Sequence, residues 1–407
     1  MNSNYQSPRI GFLDGFRFLL AFWVFAAHYY TLIGGTMFFK LPSILTETFN
    51  RPVNAVNGFM VITGFLMTYN YIERRSKEPY SDQSTHLKFW QRRFFRLYPI
   101  YILCIIVAFI TFVPLAKMNE ANLIFFTGGN VSQWGTVRSM MQPSVSDLIS
   151  HIFMVHGLFP RYYDSVLGVT WSLSLEAQFY LIFPFLFLGM FSSGRKQRQR
   201  IIVGIIAFVV VAIVSLRAVN FGCSAIGLPT YKLPAALLFA MPLFIIGIIA
   251  GAVKLRQIHL TYLLVAASVT LPFQSNTTVV LVLALLLLIF LDEIQFAIPK
   301  WLFRILDSLR SILSTKTASF GADISYSFYL IHTMIIGIVL QILITFLPEL
   351  SRIQIAILGF FAVAVVCVFL SYFLFRFVEK PFIEIGRRMI HTVSRAQIPL
   401  TKSQPRQ

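Results

Sequence analysis

The chain is poor in charged residues, and those it has are unevenly divided between acids and bases. Charged residues make up 12% of its 407 positions, with 16 Asp and Glu against 34 Lys and Arg, whereas hydrophobic residues make up 57%. A typical soluble domain has about twice that charged fraction, and no polar tract in the chain is long enough to form a separate one. The composition excludes a soluble enzyme or binding module and predicts a polytopic membrane protein.

Cysteine is also scarce. Cys104 and Cys367 fall in apolar runs and Cys223 stands alone in a loop, so the sequence predicts neither a disulfide framework nor a metal site. The net charge of +18 is compatible with nucleic-acid binding, but the basic residues form short clusters between apolar runs and no soluble recognition module accompanies them. We therefore expect no nucleic-acid partner.

Ten apolar runs predict an all-α membrane protein with about ten transmembrane helices. They cover residues 10–34, 52–71, 98–115, 168–191, 201–216, 233–253, 260–273, 277–291, 322–346 and 353–375, the seventh and eighth being short. We expect residues 1–380 to form the transmembrane domain and residues 381–407 to form a basic cytoplasmic tail. The first run is not interpreted as a signal peptide, because charged residues interrupt it and further runs follow.

Clusters of Lys and Arg between alternate runs orient the chain in the membrane. With the amino terminus inside, 26 of the 34 basic residues fall in cytoplasmic segments and 8 remain on the outer side. Because cytoplasmic loops of membrane proteins are enriched in Lys and Arg, we expect both termini in the cytoplasm. The protein is then a multi-pass protein of the cytoplasmic (inner) membrane, with the lipid bilayer as its surroundings.

The first apolar run contains three ionisable side chains that hydrocarbon disfavours. At about 100° per residue around a helix axis, Asp14, Arg17 and His28 project from one face. The step from Asp14 to His28 spans about 21 Å, which places the acid and the base near the cytoplasmic surface and the imidazole in the outer half. Ionisable residues at such depth predict a functional role.

A basic stretch, KFWQRRFFRLYP at residues 88–99, precedes the third run. Arg92, Arg93 and Arg96 are spaced to lie on one side of a juxtamembrane helix, which we expect to end before Pro99. Taken alone, the stretch fits contact with anionic lipid headgroups as well as it fits a phosphate-binding site.

Two later runs carry further polar side chains into the membrane. In the fourth run, helical spacing places Ser172, Glu176 and Tyr180 on one face, with Glu176 at a depth similar to that of the first-run histidine. In the ninth run, His332 lies near the midplane and shares a face with Ser325.

A single histidine inside a membrane is more often a packing residue than a catalyst. Ionisable groups in several separate runs are different, because burying them costs several kcal/mol unless they converge on a wet cavity. The set therefore predicts one shared functional site.

Seven short motifs occur in a fixed order along the chain. They are LDGFRFLLAFWVFAAH at 13–28, VITGFL at 61–66, RRFFRLYP at 92–99, TWSLSLEAQFYLIFP at 170–184, MPLFIIGIIAG at 241–251, ISYSFYLIH at 324–332 and FRFVEKPF at 375–382. Their succession resembles the acyltransferase 3 family of ten-span membrane O-acyltransferases, of the kind that acetylate lipopolysaccharide O-antigen and other surface glycans.

The resemblance implies an enzyme that takes an acyl group, usually acetyl, from cytoplasmic acyl-CoA and delivers it to a sugar hydroxyl outside. Acetyl-CoA is then a donor substrate, with no permanently bound cofactor, and the other partner is an extracytoplasmic polysaccharide or a lipid-linked glycan. The residues that match the family motifs are His28 in the first span, Asp14 and Arg17 before it, Arg93 and Arg96 in the basic motif, Glu176 in the fourth span, and Ser325, Tyr326 and His332 in the penultimate span.

We expect His28 to be the base that removes the proton of the acceptor hydroxyl, because imidazole has suitable basicity near neutral pH. Glu176 is expected to orient His28 or keep it basic. His332 is a secondary catalytic candidate, with a structural role as the alternative. Whether His28 acts as a base or carries the acyl group covalently stays open at this point.

The donor site is expected near the cytoplasmic surface. Acyl-CoA has a phosphate-rich head that cannot cross lipid, so Arg17, Arg93 and Arg96 are placed to hold it. Asp14, Ser325 and Tyr326 complete the donor site that the resemblance implies.

Three positions depart from the family pattern. Thr63 replaces the usual serine of the second span, Ala177 replaces a second acid, and the arginine often found before the sixth-span motif is missing around Met241. We expect acceptor contacts in the outer connection, residues 116–166. Its polar candidates are Trp134, Arg138, His151, His156 and Arg161.

A proton-coupled transporter or flippase of a glycan or lipid-linked precursor is the alternative function, because buried acids and histidines also relay protons. The sequence shows no obvious inverted repeat. A non-catalytic membrane scaffold is a third possibility. The oligomeric state stays open, a homo-oligomer included.

Overall fold

A computed structural model describes residues 10–80, 82–129, 142–191, 197–227 and 229–396. Within these ranges the regular secondary structure is helical, with no β-strand, which confirms the predicted all-α fold. The first eight helices are α1 Gly11–Leu32, α2 Ser43–Asn50, α3 Val53–Glu73, α4 Gln83–Ile110, α5 Phe112–Thr127, α6 Val145–Ile152, α7 Trp171–Phe191 and α8 Gln197–Ala225. The others are α9 Leu237–Lys254, α10 Thr261–Thr270, α11 Asn276–Ile289, α12 Leu291–Ile294, α13 Lys300–Leu313, α14 Lys316–Phe346, α15 Arg352–Leu374 and α16 Lys380–Ala396.

The long apolar helices make the chain a multi-pass membrane protein. Among the described residues, 6 segments are long and apolar enough to cross a bilayer. They are Gly11–Leu32, Gln83–Ile110, Gly168–Phe191, Leu237–Lys254, Lys316–Phe346 and Arg352–Ile390. The predicted apolar runs all fall on helices, and the short seventh and eighth runs correspond to α10 and α11.

The basic stretch and most of the third apolar run, as far as Ile110, form one continuous helix, α4, so the predicted helix end before Pro99 is wrong. Pro99 removes one backbone hydrogen bond from the helix interior. Hydrogen bonds to a neighbouring segment support this turn instead. The Tyr98 hydroxyl donates to the Ile152 carbonyl at 3.1 Å, and the Tyr101 hydroxyl donates to the His151 carbonyl at 2.8 Å. Side-chain support from a neighbouring segment lets a proline remain inside a membrane helix.

Two glycine motifs bring α3 and α9 into backbone contact. A Cβ added at Gly64 would lie 2.3 Å from the Phe244 carbonyl oxygen, and one added at Gly247 would lie 2.1 Å from the Val61 carbonyl oxygen. Close approach through small residues is a common way for membrane helices to associate. The VITGFL and MPLFIIGIIAG motifs therefore have a packing role.

Helix α1 lies in the centre of the molecule, packed against α3, α14 and, less extensively, α5. Helix α14 also packs on α15 and α5. These contacts place the polar face of α1 opposite the polar face of α14. The ionisable residues of the first and ninth apolar runs consequently meet inside the helix bundle.

Candidate active site

The outer half of the bundle contains a pair of histidines from α1 and α14. His332 is fully buried, His28 is half-buried, and their ring centroids are 5.1 Å apart. The Nε2 atom of His332 lies 3.1 Å from the Nδ1 atom of His28. The two histidines predicted separately from sequence are therefore direct hydrogen-bond partners.

The hydrogen-bond pattern assigns the protons of this pair when both rings are neutral. His332 Nδ1 lies 2.8 Å from the Tyr329 carbonyl, which can only accept, so this nitrogen carries the proton. His332 Nε2 is then an acceptor, and His28 Nδ1 must donate to it and to the Val24 carbonyl at 3.0 Å. The remaining nitrogen, His28 Nε2, is left with a free lone pair, the form that a general base or a nucleophile requires.

Tyr329, one turn before His332, connects α14 to the segment at residues 168–191. The Tyr329 hydroxyl lies 2.7 Å from Ser172 Oγ and donates to the Val169 carbonyl at 3.0 Å. Ser172 was expected on the polar face of its helix, and the structure shows that this face meets α14. The contact fixes the turn of α14 that presents His332.

His28 lines a cavity of about 380 Å³ at the outer ends of the helices. Small-molecule sites usually have volumes of about 300–1,000 Å³. The cavity is lined by residues from α1, α4, α5, α14 and the segment before α7: His28, Thr31, Leu32, Ala108, Phe112, Leu115, Ala116, Asn119, Glu120, Leu123, Val166, Leu167, Gly168, Val169, Thr333 and Met334. Under the orientation predicted from the basic clusters, these helix ends would face the extracytoplasmic side.

A second group of ionisable residues surrounds the amino-terminal part of α1, the end that the predicted orientation assigns to the cytoplasm. Arg17 interacts electrostatically with Asp14, Glu176 and Arg96. Arg96 in turn interacts with Glu379, its strongest electrostatic partner. Opposite charges from four helical segments are thus gathered in one largely buried cluster, which offsets part of the cost of desolvating each of them.

Glu176 belongs to this inner cluster and does not hydrogen-bond to His28 in the described structure. Its carboxylate accepts a hydrogen bond from the Tyr180 hydroxyl, one turn along the same helix. The sequence analysis paired Glu176 with His28, whereas the partner of His28 is His332. The spacing of Glu176 and Tyr180 on one helical face was the available signal for the contact that is observed.

The arginines of the basic motif have different surroundings. Arg92 forms a two-pronged ion pair with Glu78, at 2.8 and 2.7 Å, which ties α4 to the preceding loop. Arg93 stacks over the rings of Phe89 and Tyr180 at 5.8 and 5.4 Å. In the described part of the chain, the buried Nε atom of Arg93 has no hydrogen-bond acceptor.

The two motif residues of α14 below the histidine brace the helix. Ser325 Oγ donates to the Ala322 carbonyl at 2.8 Å, and the Tyr326 hydroxyl donates to the Leu97 carbonyl of α4 at 2.9 Å. Both side chains are buried. Tyr326 thereby joins the helix that carries His332 to the helix that carries Arg93 and Arg96.

Glu379 is a site residue that the sequence analysis did not single out. It lies in a π-helical turn, Phe375–Glu379, is 1% exposed, and is 3.4 Å from Ser327 Oγ of α14. The available signal was its place in the FRFVEKPF motif, an acid directly after an apolar run. A π-turn changes which face such a residue presents, and this is why helical spacing did not place it inside.

The outer connection contributes two histidines that are buried. His151 and His156 stack with ring centroids 3.9 Å apart, and both are 0% exposed. Burial lowers the pKa of His151 to about 4 and that of His156 to about 3, so both are neutral at pH 7. They pack under Tyr101 and do not line the cavity. Arg161 is exposed beside Tyr162, and Trp134 and Arg138 lie outside the described residues.

Comparison with known sequences agrees with this arrangement of motifs. The sequence profile of the acyltransferase 3 family, described as an acyltransferase domain, matches residues 10–376. The chain belongs to the acyltransferase 3 family. The match covers every helix that contributes to the histidine pair and the cavity, and the family resemblance seen in the motifs is confirmed.

Two curated proteins are distant relatives of the chain. An uncharacterized protein of Haemophilus influenzae is 27% identical over 169 residues, covering 40% of the chain and 60% of the relative. Acyltransferase MdmB of Streptomyces mycarofaciens is 25% identical over 183 residues, covering 43% of the chain and 38% of the relative. The matched regions thus span about half the length of these relatives. No solved structure matches the chain.

Proposed function

We propose that this membrane acyltransferase moves an acyl group, with acetyl as the expected one, from cytoplasmic acyl-CoA to a hydroxyl of an extracytoplasmic glycan such as lipopolysaccharide O-antigen. The observation that carries the proposal is the hydrogen bond from His28 Nδ1 to His332 Nε2. It leaves the lone pair of His28 Nε2 free beside a cavity at the outer ends of the helices. An acceptor hydroxyl bound in that cavity can therefore lie beside His28 Nε2, which can act as a base.

The reaction follows from the chemistry of these groups. His28 Nε2 removes the proton of the acceptor hydroxyl, and the oxygen attacks the carbonyl carbon of the thioester. The C–S bond breaks, and the proton held by His28 passes to the sulfur, so that an ester and free CoA thiol are formed. His332 stabilises the positive charge that develops on His28, because its Nε2 accepts the Nδ1 proton throughout. In this role His332 is a positioning residue.

The inner cluster is proposed as the donor site. Arg17, Arg93 and Arg96 lie toward the cytoplasmic surface, where the phosphates of acyl-CoA arrive, and guanidinium groups bind phosphate through paired hydrogen bonds. The unpartnered Nε of Arg93 is consistent with a ligand at this position. Arg17 is eleven residues from His28 along α1, or about 16 Å along the helix axis, a distance comparable to an extended pantetheine arm.

The test uses purified protein with labelled acetyl-CoA and an extract of surface glycans as acceptor. We expect label to pass to glycan with release of CoA thiol, and we expect His28→Ala to lower the rate by about 10²–10⁴, the usual contribution of a general base. Glycan movement driven by a pH gradient without CoA release would instead support the transporter. Without acceptor, hydroxylamine-labile label retained by wild type and lost in His28→Ala would identify a covalent role for His28.

A further inference from the structure

One wall of the cavity beside His28 is formed by a single face of α5. Its cavity-lining residues are Phe112, Leu115, Ala116, Asn119, Glu120 and Leu123. This spacing is the stripe that faces inward on a helix. Apolar residues occupy the stripe except at two adjacent positions, Asn119 and Glu120, so two polar side chains line the cavity where an apolar helix face would otherwise continue.

The chain makes specific room for Asn119. A Cβ added at Gly337 of α14 would lie 2.3 Å from Asn119 Oδ1, so only glycine allows this amide to sit against α14. One turn along, Asn122 Nδ2 donates to the Gly337 carbonyl at 2.9 Å and fixes α5 on α14. In the described structure, no donor reaches the buried Oδ1 atom of Asn119.

Glu120 is half-buried beside Asn119 and lines the same cavity. No hydrogen bond or ion pair connects it to any of the described residues, whereas Glu78 pairs with Arg92 and Glu293 pairs with Lys254. A carboxylate in a partly apolar cavity is costly unless a donor binds it. The unfilled acceptor oxygens of Glu120 therefore point to a ligand that brings hydrogen-bond donors.

The remaining lining indicates what kind of ligand this is. The polar groups are His28, Thr31, Asn119, Glu120 and Thr333, and the rest of the lining is apolar. The Thr31 hydroxyl already donates to the Ala27 carbonyl at 3.0 Å, so toward a ligand its oxygen can act only as an acceptor. Acceptor groups beside apolar side chains suit a polyhydroxyl ring, which offers O–H donors at its edge and C–H bonds on its faces.

We propose that Asn119 and Glu120 form the hydroxyl-binding wall of the acceptor site and select a polyhydroxyl alcohol. The Glu120 carboxylate accepts hydrogen bonds from hydroxyls next to the one that His28 deprotonates, the Asn119 amide lines the same wall, and together they hold that hydroxyl at His28 Nε2. The inference rests on the proposed function, because it assigns residues to the acceptor half of the same transfer reaction.

The experiment measures acetyl transfer from labelled acetyl-CoA to a panel of methyl glycosides by purified wild type, Glu120→Gln and Asn119→Ala. We expect both variants to raise the KM for the best glycoside at least tenfold, while the Kd for acetyl-CoA stays within twofold of wild type. Glu120→Asp retains the charge on a shorter side chain, and its KM should lie between those of wild type and Glu120→Gln. The matched control is Glu349→Gln, an exposed carboxylate in the outer loop between α14 and α15 that does not line the cavity.

The outcomes separate this inference from the proposed function. If wild type acetylates a glycoside and Glu120→Gln has the same KM, the acceptor wall is wrong and the acyltransfer proposal stands. If wild type releases no CoA with any glycoside or with the glycan extract, the proposed function fails and the inference fails with it. A variant that loses its fold, or weakens acetyl-CoA binding equally, would show a structural role for these residues and overturn the assignment.

Discussion

His332 Nε2 and His28 Nδ1 lie 3.1 Å apart although 304 residues separate them in the chain. The contact sets the tautomer of His28. We therefore expect the rate of acyl transfer to depend on a hydrogen-bond acceptor at position 332. Replacing His332 with Phe removes that acceptor while filling the space beside Phe25 and Phe328. We expect acyl transfer to fall by about 10–100-fold, the usual loss when the orienting partner of a functional histidine is removed.

Replacing His332 with Gln supplies a carbonyl oxygen that can accept the His28 Nδ1 proton, and we expect it to restore part of the rate. The measurement is kcat with its pH profile, because an orienting role moves the profile and a packing role does not. Equal rates and unchanged profiles for His332→Phe and His332→Gln would refute the positioning role of His332.

Arg92 and Arg93 are neighbours in sequence with different partners, which makes them a matched pair for locating the donor site. Arg93→Ala should remove a charge-assisted hydrogen bond to phosphate, worth about 1.5–3 kcal/mol, and raise the KM for acetyl-CoA by about 10–100-fold. Arg92→Ala breaks the ion pair with Glu78 and should lower the thermal midpoint with little change in that KM. The same change in KM for both variants would place the phosphates elsewhere.

The positions of the membrane helices were predictable because they depend on local composition. Apolar runs and Lys and Arg clusters are read within short windows, and the helices α1, α9, α14 and α15 follow the predicted runs closely. The break expected at Pro99 failed for a tertiary reason, since Tyr98 and Tyr101 bind the outer connection and support the turn.

The members of the site were more predictable than their pairings. Helical periodicity placed His28 and His332 on polar faces, but it contains no information on which helices are neighbours. The expected pairing of His28 with Glu176 came from equal depth alone, and depth does not fix rotation around the bundle. Glu379 was not predicted because it lies in a π-helical turn, which shifts the face that a residue presents relative to an α-helix.

The close contact of α3 and α9 gives a prediction about stability. Gly247→Ala places a methyl group 2.1 Å from the Val61 carbonyl oxygen, so the two backbones must separate. Overpacking of this kind costs about 1–3 kcal/mol or more, and we expect a clear loss in thermal midpoint in detergent. Gly189→Ala is the control, because nothing lies within 4 Å of its added Cβ. A similar midpoint for both variants would contradict the tight α3–α9 interface.

The stacked pair of His151 and His156 predicts how stability changes with pH. The folded-state pKa values, about 4 and about 3, are below the value of about 6.5 expected in the unfolded chain. The unfolded state therefore binds more protons, and stability is complete above about pH 6.5 and falls as the pH drops toward 4, by about 1.4 kcal/mol per pH unit for each histidine. His151→Gln keeps a donor for the Asp147 carbonyl, which His151 Nδ1 contacts at 2.9 Å, but removes one titrating group. We expect its thermal midpoint to fall less steeply than that of wild type between pH 6.5 and 4, because one fewer proton is taken up on unfolding. Parallel curves for the two proteins would mean that His151 is already charged in the folded state, which its full burial against His156 opposes.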